Sequence, residues 1–554
     1  MAKYLIIGGV AAGMSAATRL RRLQEDAEII VFERGAHVSF ANCGLPYYLG
    51  GEITDRDALL VQTPAKLKAR FNLDVRENAA VTVIDANAKT VRVEPTTGAA
   101  YTESYDKLIL APGAKPVVPP IPGLDDAHNV FTLRNIADMD QIDSFIQAHK
   151  PRTAVVVGAG AIGLELTESL VRQGLHVSLV DATSHVLPAL DVEMAPALHT
   201  ALQNHGVQLH LGAAVTAIGD HAVILGDGQT LAADLILLSV GVRPETTLAQ
   251  TAGVALEENT GGIAVNDQYQ TSVADIYAVG DAIAVTNQLT GQPALISLAS
   301  PANRQGRQVA DVLSGVPTSN KGGIGTAIVR VFNQVAATTG LNEQQAQTAD
   351  LNYRVVHLNG KDHAAYYPDA VGMSLKLVFD ATTGKVLGAQ AVGPRGVDKR
   401  IDVLATAIKA QMTVFDLEEL ELSYAPPFGV AKDPVNMLGY AAANVVQGLT
   451  HTIQWHELAG ELAAGKKLLD VREPDEFATG HFKGAINIPL DQLRSRISQL
   501  DKRADYIVSC QSGLRSYNAE RLLRGHGFNV QNLDGAIGLA APVIPELITT
   551  EVTA

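Results

Sequence analysis

TAVVVGAGAIGLELTESLVRQGLHVSLVD, residues 153–181, decides the fold. A short apolar strand at 154–157 runs into the turn GAGAIG, with Gly158, Gly160 and Gly163. A helix follows, then a strand at 176–180 that ends on Asp181. In such a unit the first glycine permits the turn, the second lets backbone approach a diphosphate, and the third packs helix on strand. The helix N-terminus then faces the anion. Asp181 stands where a carboxylate can accept from a free ribose 2′-hydroxyl. It would repel a 2′-phosphate, and residues 182–185 hold no arginine to bind one. The expected ligand is therefore NADH, with NADPH the alternative.

Residues 3–34 carry the same pattern: an apolar strand at 4–7, the turn GGVAAG at 8–13, a helical stretch, and a second strand ending at Glu33. Gly8 and Gly13 match the motif, but Val10 stands where the middle glycine is usual. Two such units predict an α/β protein with two dinucleotide sites.

At 554 residues the chain is too long for one core, since domains usually run to about 100–200 residues. Its 47% apolar and 18% charged content is that of a folded globular protein and argues against disorder. A formal charge of −15 without a dense Lys/Arg run argues against nucleic acid as a partner. No stretch approaches the ~18 apolar residues of a membrane span, and the first apolar run is too short for a signal peptide. A cytoplasmic location without a membrane partner is expected. With only Cys43 and Cys510, neither a disulfide scaffold nor a thiolate metal cluster is expected, and no metal site is read from the sequence.

LILAPGA (108–114), TSVADIYAVGDA (271–282) and SVGVRP (239–244) extend the pattern. Together with the two glycine turns, they resemble the two-dinucleotide-binding flavoprotein disulfide reductases. That resemblance implies FAD at Gly8, Gly13, Glu33, Arg34, Ala111 and Asp281, and the nicotinamide nucleotide at Gly158, Gly160, Gly163, Asp181 and Gly241. It implies a homodimer and four domains: FAD-binding at 1–115 and 245–322, NAD(P)H-binding at 116–244, dimerisation at 323–448, and a last domain at 453–554.

Cys43 lies in SFANCGLPYYLGG (39–51), where the residues after it can begin a helix whose N-terminus would lower its pKa. Glutathione reductase-like enzymes have a second cysteine here; this chain does not. A lone thiol can cycle through a mixed disulfide or a sulfenic acid. The stretch resembles the active site of coenzyme A disulfide reductases. ELSYAPPF (421–428) and HAAYYPDA (363–370) resemble the segments that supply their active-site tyrosines: Tyr424 from the partner subunit, and Tyr367, with Tyr366 as the alternative. Arg19, Arg22, Ser39, Asn42, Asn303 and Arg307 resemble their coenzyme A contacts. NADH oxidases and peroxidases also use a lone cysteine. Peroxidases of that group carry a histidine in the first glycine turn, and GGVAAG has none.

LLDVREPDEFATGHFKGAINIPL (468–490) followed by CQSGLRS (510–516) resembles a rhodanese domain. Inward-pointing amides in the second loop would stabilise a persulfide anion on Cys510, and Arg515 would add charge. Asp470 and Arg472 suit a structural ion pair, and His481 suits a packed loop position. The whole chain thus resembles a coenzyme A disulfide reductase fused to a rhodanese domain. The implied activity is NADH-dependent reduction of coenzyme A disulfide, coenzyme A persulfide or polysulfide, with sulfide released. An NADH oxidase or peroxidase, and a non-enzymatic sulfur sensor, are the alternatives. The nucleotide assignment predicts a higher kcat/KM with NADH than with NADPH in steady-state assays; the reverse order would refute the role given to Asp181.

Overall fold

The computed structural model describes residues 2–551. By their contacts these fall into two compact units. One comprises the chain up to Thr183 with His205–Gly325; the other comprises Ser184–Asn204 and the chain from Thr326 on.

The first unit contains the same arrangement twice. One five-stranded parallel sheet has the order Ile276–Ala278, Lys107–Leu110, Lys3–Ile7, Glu28–Phe32, Asp74–Arg76. A second has the order Gln208–Leu211, His176–Asp181, Thr153–Val157, Leu235–Leu238, Val130–Phe131. Each is accompanied by a three-stranded antiparallel sheet, at Ala79–Asp85 to Tyr101–Ser104 and at Val215–Gly219 to Thr230–Ala232. The central strands are apolar on both faces, as strands covered by helices must be: Leu5, Ile6, Ile30, Val31, Val155 and Val156 are fully buried.

Gly306 sets the approach of two helices here. A β-carbon at this position of Ala299–Leu313 would lie 2.1 Å from the Ala12 carbonyl oxygen of helix Ala11–Leu23.

In the second unit, a five-stranded antiparallel sheet runs Ala327–Val331, Gln334–Gly340, Val386–Gly393, Gly372–Asp380, Tyr353–Lys361. A five-stranded parallel sheet follows, ordered Thr452–Ile453, Asn529–Leu533, Asp505–Ser509, Lys467–Asp470, Ile486–Asn487. The segment Ser184–Asn204, which the sequence places in the span 116–244, packs with this unit because its acids find a partner there. Lys376, fully buried, has Asp191 at 2.7 Å and also pairs with Glu193 and Glu343. Those three carboxylates are close enough to hold a cation, and the Lys376 ammonium fills that place.

No helix of the described residues is long and apolar enough to cross a membrane. Gly306→Ala is expected to cost about 1–3 kcal/mol, because the added methyl meets backbone that cannot yield. A lowered thermal midpoint checks this, and an unchanged midpoint would contradict it.

Candidate active site

The two glycine turns are built alike. Gly8 and Gly158 have φ of +103° and +105°, a region that favours glycine. A β-carbon on either would sit 2.1 Å from the Ala111 oxygen or 2.3 Å from the Ser239 oxygen. Gly13 and Gly163 lie against the Gly8 and Gly158 carbonyls, where a β-carbon would approach to 1.9 Å in both cases.

The acid that ends the second strand is tied back in the same way each time. Glu33 accepts from the amides of Gly9 (2.9 Å) and Gly35 (2.8 Å). Asp181 accepts from the amides of Ala159 (2.6 Å) and Thr183 (2.7 Å), and from the Thr183 hydroxyl. Val10, the departure from the motif, precedes helix Ala11–Leu23 with φ −112°, so the turn does not call for positive φ there. Gly241 has φ +105° and open space where a side chain would project.

Asp281 follows strand Ile276–Ala278 in the turn Gly280–Ala282. Its carboxyl pKa is raised by burial, against the pull of the Arg134 guanidinium. The side chains of Asp281 and Arg134 make no hydrogen bond among the described residues. Arg134 lies where a β-carbon on Gly113 would be 2.5 Å from its Nη2. Arg34 is exposed. Crowded glycines beside a half-buried acid and base with unused hydrogen-bonding capacity fit a dinucleotide with its diphosphate. Arg134 comes from the loop before helix Ile136–His149, and sequence reading missed it.

Cys43 lies in the 3₁₀ turn Asn42–Gly44, directly before the short helix Leu45–Leu49, and as a residue it is exposed although its sulfur sits against surrounding groups. Its amide donates to Asn42 Oδ1 at 3.1 Å, and Sγ is 3.8 Å from the same oxygen. The helix is pinned to the second dinucleotide unit: Ser169 Oγ donates to the Pro46 carbonyl (2.7 Å), and Tyr47 donates to Glu165 (2.9 Å). The expected lowering of the thiol pKa does not come from the polypeptide. Burial raises it most, and the charges of Glu165 and Asp281 add to the rise. One short turn of helix does not offset two carboxylates.

The six residues of the coenzyme A set divide. Arg19 Nε pairs with Asp311 at 2.6 Å, and Arg307 Nε lies 3.9 Å from the other oxygen of that carboxylate. Asn303 accepts from Ser15 Oγ at 2.6 Å. These groups meet because the helices carrying them cross closely at Gly306. Arg22 is exposed and forms no ion pair among the described residues. Ser39, at φ +48°, donates its amide to the Gly9 carbonyl (2.8 Å) and so joins the cysteine loop to the first turn.

In the second unit it is Tyr366 whose hydroxyl meets that of Tyr424, at 2.9 Å. Tyr367 instead sets its ring edge-on to His363 at 5.7 Å. Tyr366 and Phe428 are 76% and 73% exposed, which leaves an uncovered aromatic surface beside Tyr424.

Cys510 is buried at the end of strand Asp505–Ser509. Its Sγ accepts from the Gly513 amide (3.1 Å) and lies 3.4 Å from Ser516 Oγ, which in turn donates to the Gly513 carbonyl (2.9 Å). Ser516 was not singled out from the sequence. Arg515 does not present a free charge to the sulfur. It forms a bidentate pair with Glu476, both bonds 2.6 Å, which holds that acid down to about 2. Arg472 pairs with buried Asp470 at 2.7 Å. His481 stacks on Phe477 at 3.6 Å.

Comparison with known proteins agrees with this architecture. The pyridine nucleotide-disulphide oxidoreductase family matches residues 2–306, its dimerisation domain 326–433, and the rhodanese-like domain 454–538. The chain belongs to the pyridine nucleotide-disulphide oxidoreductase family. The coenzyme A disulfide reductase of Staphylococcus haemolyticus is 37% identical over 451 residues, 80% of this chain and 100% of that protein. Reduced Bacillus anthracis CoADR-RHD superposes with a TM-score of 0.98 at 48% identity, covering 99% of each chain. A NAD-dependent persulfide reductase from A. fulgidus gives 0.91 at 37%, covering 97% of this chain and 99% of that one. The water-forming NADH oxidase of Lactobacillus brevis, bound to NADH, gives 0.77 at 31%, and its engineered NADPH-bound form 0.77 at 30%; each covers 81% of this chain and 100% of its own. Within its family the chain is thus a homologue of the coenzyme A disulfide reductases with a fused rhodanese domain, a flavin-dependent disulfide or persulfide reductase.

Because the Glu165 charge raises the thiol pKa, Glu165→Gln is expected to shift the pH midpoint of Cys43 alkylation downward. Following the Cys43 peptide by mass spectrometry checks this; an unchanged or higher midpoint would contradict the electrostatics.

Proposed function

We propose that this enzyme oxidises NADH and cleaves a sulfur–sulfur bond of coenzyme A disulfide or coenzyme A persulfide at Cys43. The observation that carries the reading is the place of that thiol. It feels the charges of Asp281, beside the first dinucleotide turn, and of Glu165, on the helix that begins at the second. FAD, when bound, supplies the two-electron relay between NADH and sulfur. It would be held by Gly8, Gly13, Glu33, Arg34, Ala111, Arg134 and Asp281.

The chain's own residues perform the sulfur steps. The Cys43 thiolate attacks the coenzyme A sulfur of a persulfide, forming a Cys43–S–S–CoA bond and expelling hydrosulfide. With coenzyme A disulfide the leaving group is a second coenzyme A thiolate. Two electrons and a proton from NADH, with one further proton, return Cys43 and coenzyme A as thiols. Arg19, Arg22, Ser39, Asn42, Asn303 and Arg307 would bind the coenzyme A moiety, the cations taking its phosphates. The hydroxyl pair Tyr366–Tyr424 would reach a partner's Cys43 in a homodimer and protonate the leaving thiolate. The uncovered aromatic surface beside Tyr424 supports that assembly.

Cys510 would hold sulfane sulfur as a persulfide and pass it to a coenzyme A thiol, leaving Cys510 as thiol and coenzyme A as persulfide. The tether raises the effective concentration of one site for the other. NADH is the reading for the nucleotide. The engineered NADPH-bound oxidase carries five substitutions, among them aspartate to alanine and the alanine after it to arginine. This chain has the pair Asp181–Ala182, so Asp181→Ala with Ala182→Arg should move the preference toward NADPH.

The test is anaerobic NADH oxidation with coenzyme A persulfide and with coenzyme A disulfide, assaying sulfide. Turnover with sulfide release is expected, abolished in Cys43→Ser. In Cys510→Ser it should be retained with coenzyme A persulfide but reduced with an external sulfane donor. The similarity to NADH oxidases supplies the contrary reading: no sulfur-dependent turnover, with rapid NADH loss on admitting air, would establish it.

A further inference from the structure

We propose that His357 is a positioning residue for the Cys510 loop, clamping the segment that backs it through Asp534; this rests on the reading of Cys510 as a sulfur carrier. His357 lies on strand Tyr353–Lys361 and its side chain is buried. Its Nδ1 is 2.8 Å from Asp534 and its Nε2 is 3.1 Å from Glu193. A neutral imidazole has only one N–H, so two carboxylate partners require the imidazolium. The His357 amide also donates to Asp534 Oδ1 at 3.1 Å, and Gln454 Nε2 donates to Oδ2 at 3.2 Å.

Asp534 stands directly before Gly535 and Ala536, with φ of +67° and +54°. For alanine that conformation is strained and persists only where its surroundings fix it. Helix Ala536–Ala540 begins there. Its Ile537 and Gly538 amides donate to the carbonyls of Cys510 (3.2 Å) and Gln511 (3.0 Å). The clamp on Asp534 thus holds a strained turn whose next residues grip the backbone of the sulfur loop. The 3₁₀ turn Val192–Met194, which carries Glu193, also packs against this helix.

The groups facing the imidazole are Asp534, Glu193 and, through Glu193, Lys376 with Asp191 and Glu343. Burial opposes the charge on His357 most strongly and Lys376 adds to that, but Asp534 and Glu193 outweigh both and raise its pKa to about 9. The folded value exceeds the ordinary one of about 6.5. The charge that serves both carboxylates is therefore fully stabilising below about pH 6.5, and one of the two ring bonds is lost as the pH rises through about 9, which weakens the clamp.

The experiment uses the full FAD-loaded chain and two variants, His357→Gln and Asp534→Asn. Three quantities are read: sulfur transfer from thiosulfate to cyanide, iodoacetamide alkylation of Cys510 with Cys43 as internal reference, and bleaching of the flavin by NADH. Sulfur transfer should fall by roughly tenfold or more in both variants, the size of loss that an ångström-scale misplacement produces. Cys510 should alkylate several-fold faster relative to Cys43, while flavin bleaching stays unchanged. The difference from wild type should narrow as the pH passes about 9. Variants equal to wild type in transfer and alkylation would overturn the proposal. So would equal losses at both cysteines, or a difference that does not narrow as the pH passes about 9. If wild type transfers no sulfur, the sulfur-carrier reading fails, and the alkylation ratio alone still decides the role of His357.

Discussion

Backbone contacts that only glycine permits, two in each turn, shape the two dinucleotide turns of the first unit. At Gly8 and Gly158 the chain turns with positive φ while lying against a carbonyl of a neighbouring strand, so close that a methyl group would overlap it. At Gly13 and Gly163 the helix that follows is seated on the turn in the same way. Each contact sets a helix N-terminus at the edge of a parallel sheet, with an acid tied across the turn. The agreement between the two turns, down to the i+2 amide each acid accepts, explains why Val10 does not spoil the first. The middle position lies just before the helix with negative φ, −112° at Val10 and −72° at Gly160, and does not rely on positive φ.

Cys43 inherits its place from these turns. Its loop is bonded to the first through Ser39, and its short helix is pinned through Pro46 and Tyr47 to the helix Ala161–Arg172 that follows the second. The consequence is electrostatic as well as geometric. Burial first, and then the charges of Glu165 and Asp281, hold the thiol toward its protonated form in the polypeptide alone. With no second cysteine in this unit, Cys43 has no disulfide partner within it.

What the sequence disclosed were features set by local sterics: glycine turns, strands apolar on both faces, and the strand-to-loop signature around Cys510. These depend on residues a few positions apart. What it hid depends on side chains that meet only after folding. Arg134 comes from an otherwise unremarked loop, and Arg515 gives its charge to Glu476, 39 positions away. Tyr366 rather than its neighbour meets Tyr424, because adjacent residues in a loop diverge and only the fold selects one. The segment Ser184–Asn204 reads as the middle of a dinucleotide-binding domain, yet its acids pair with Lys376, 183 positions on in the case of Glu193. The His357–Asp534 pair spans 177 positions and carries no local signal.

The central claim is that Cys43 cycles through a mixed disulfide with coenzyme A. Intact-protein mass spectrometry tests this most directly, after the reduced enzyme is mixed anaerobically with coenzyme A disulfide in the absence of NADH. The account predicts one coenzyme A adduct per chain, mapped to Cys43, absent from Cys43→Ser and removed on adding NADH. No adduct under these conditions, with an oxygen atom gained at Cys43 only after exposure to air, would contradict it.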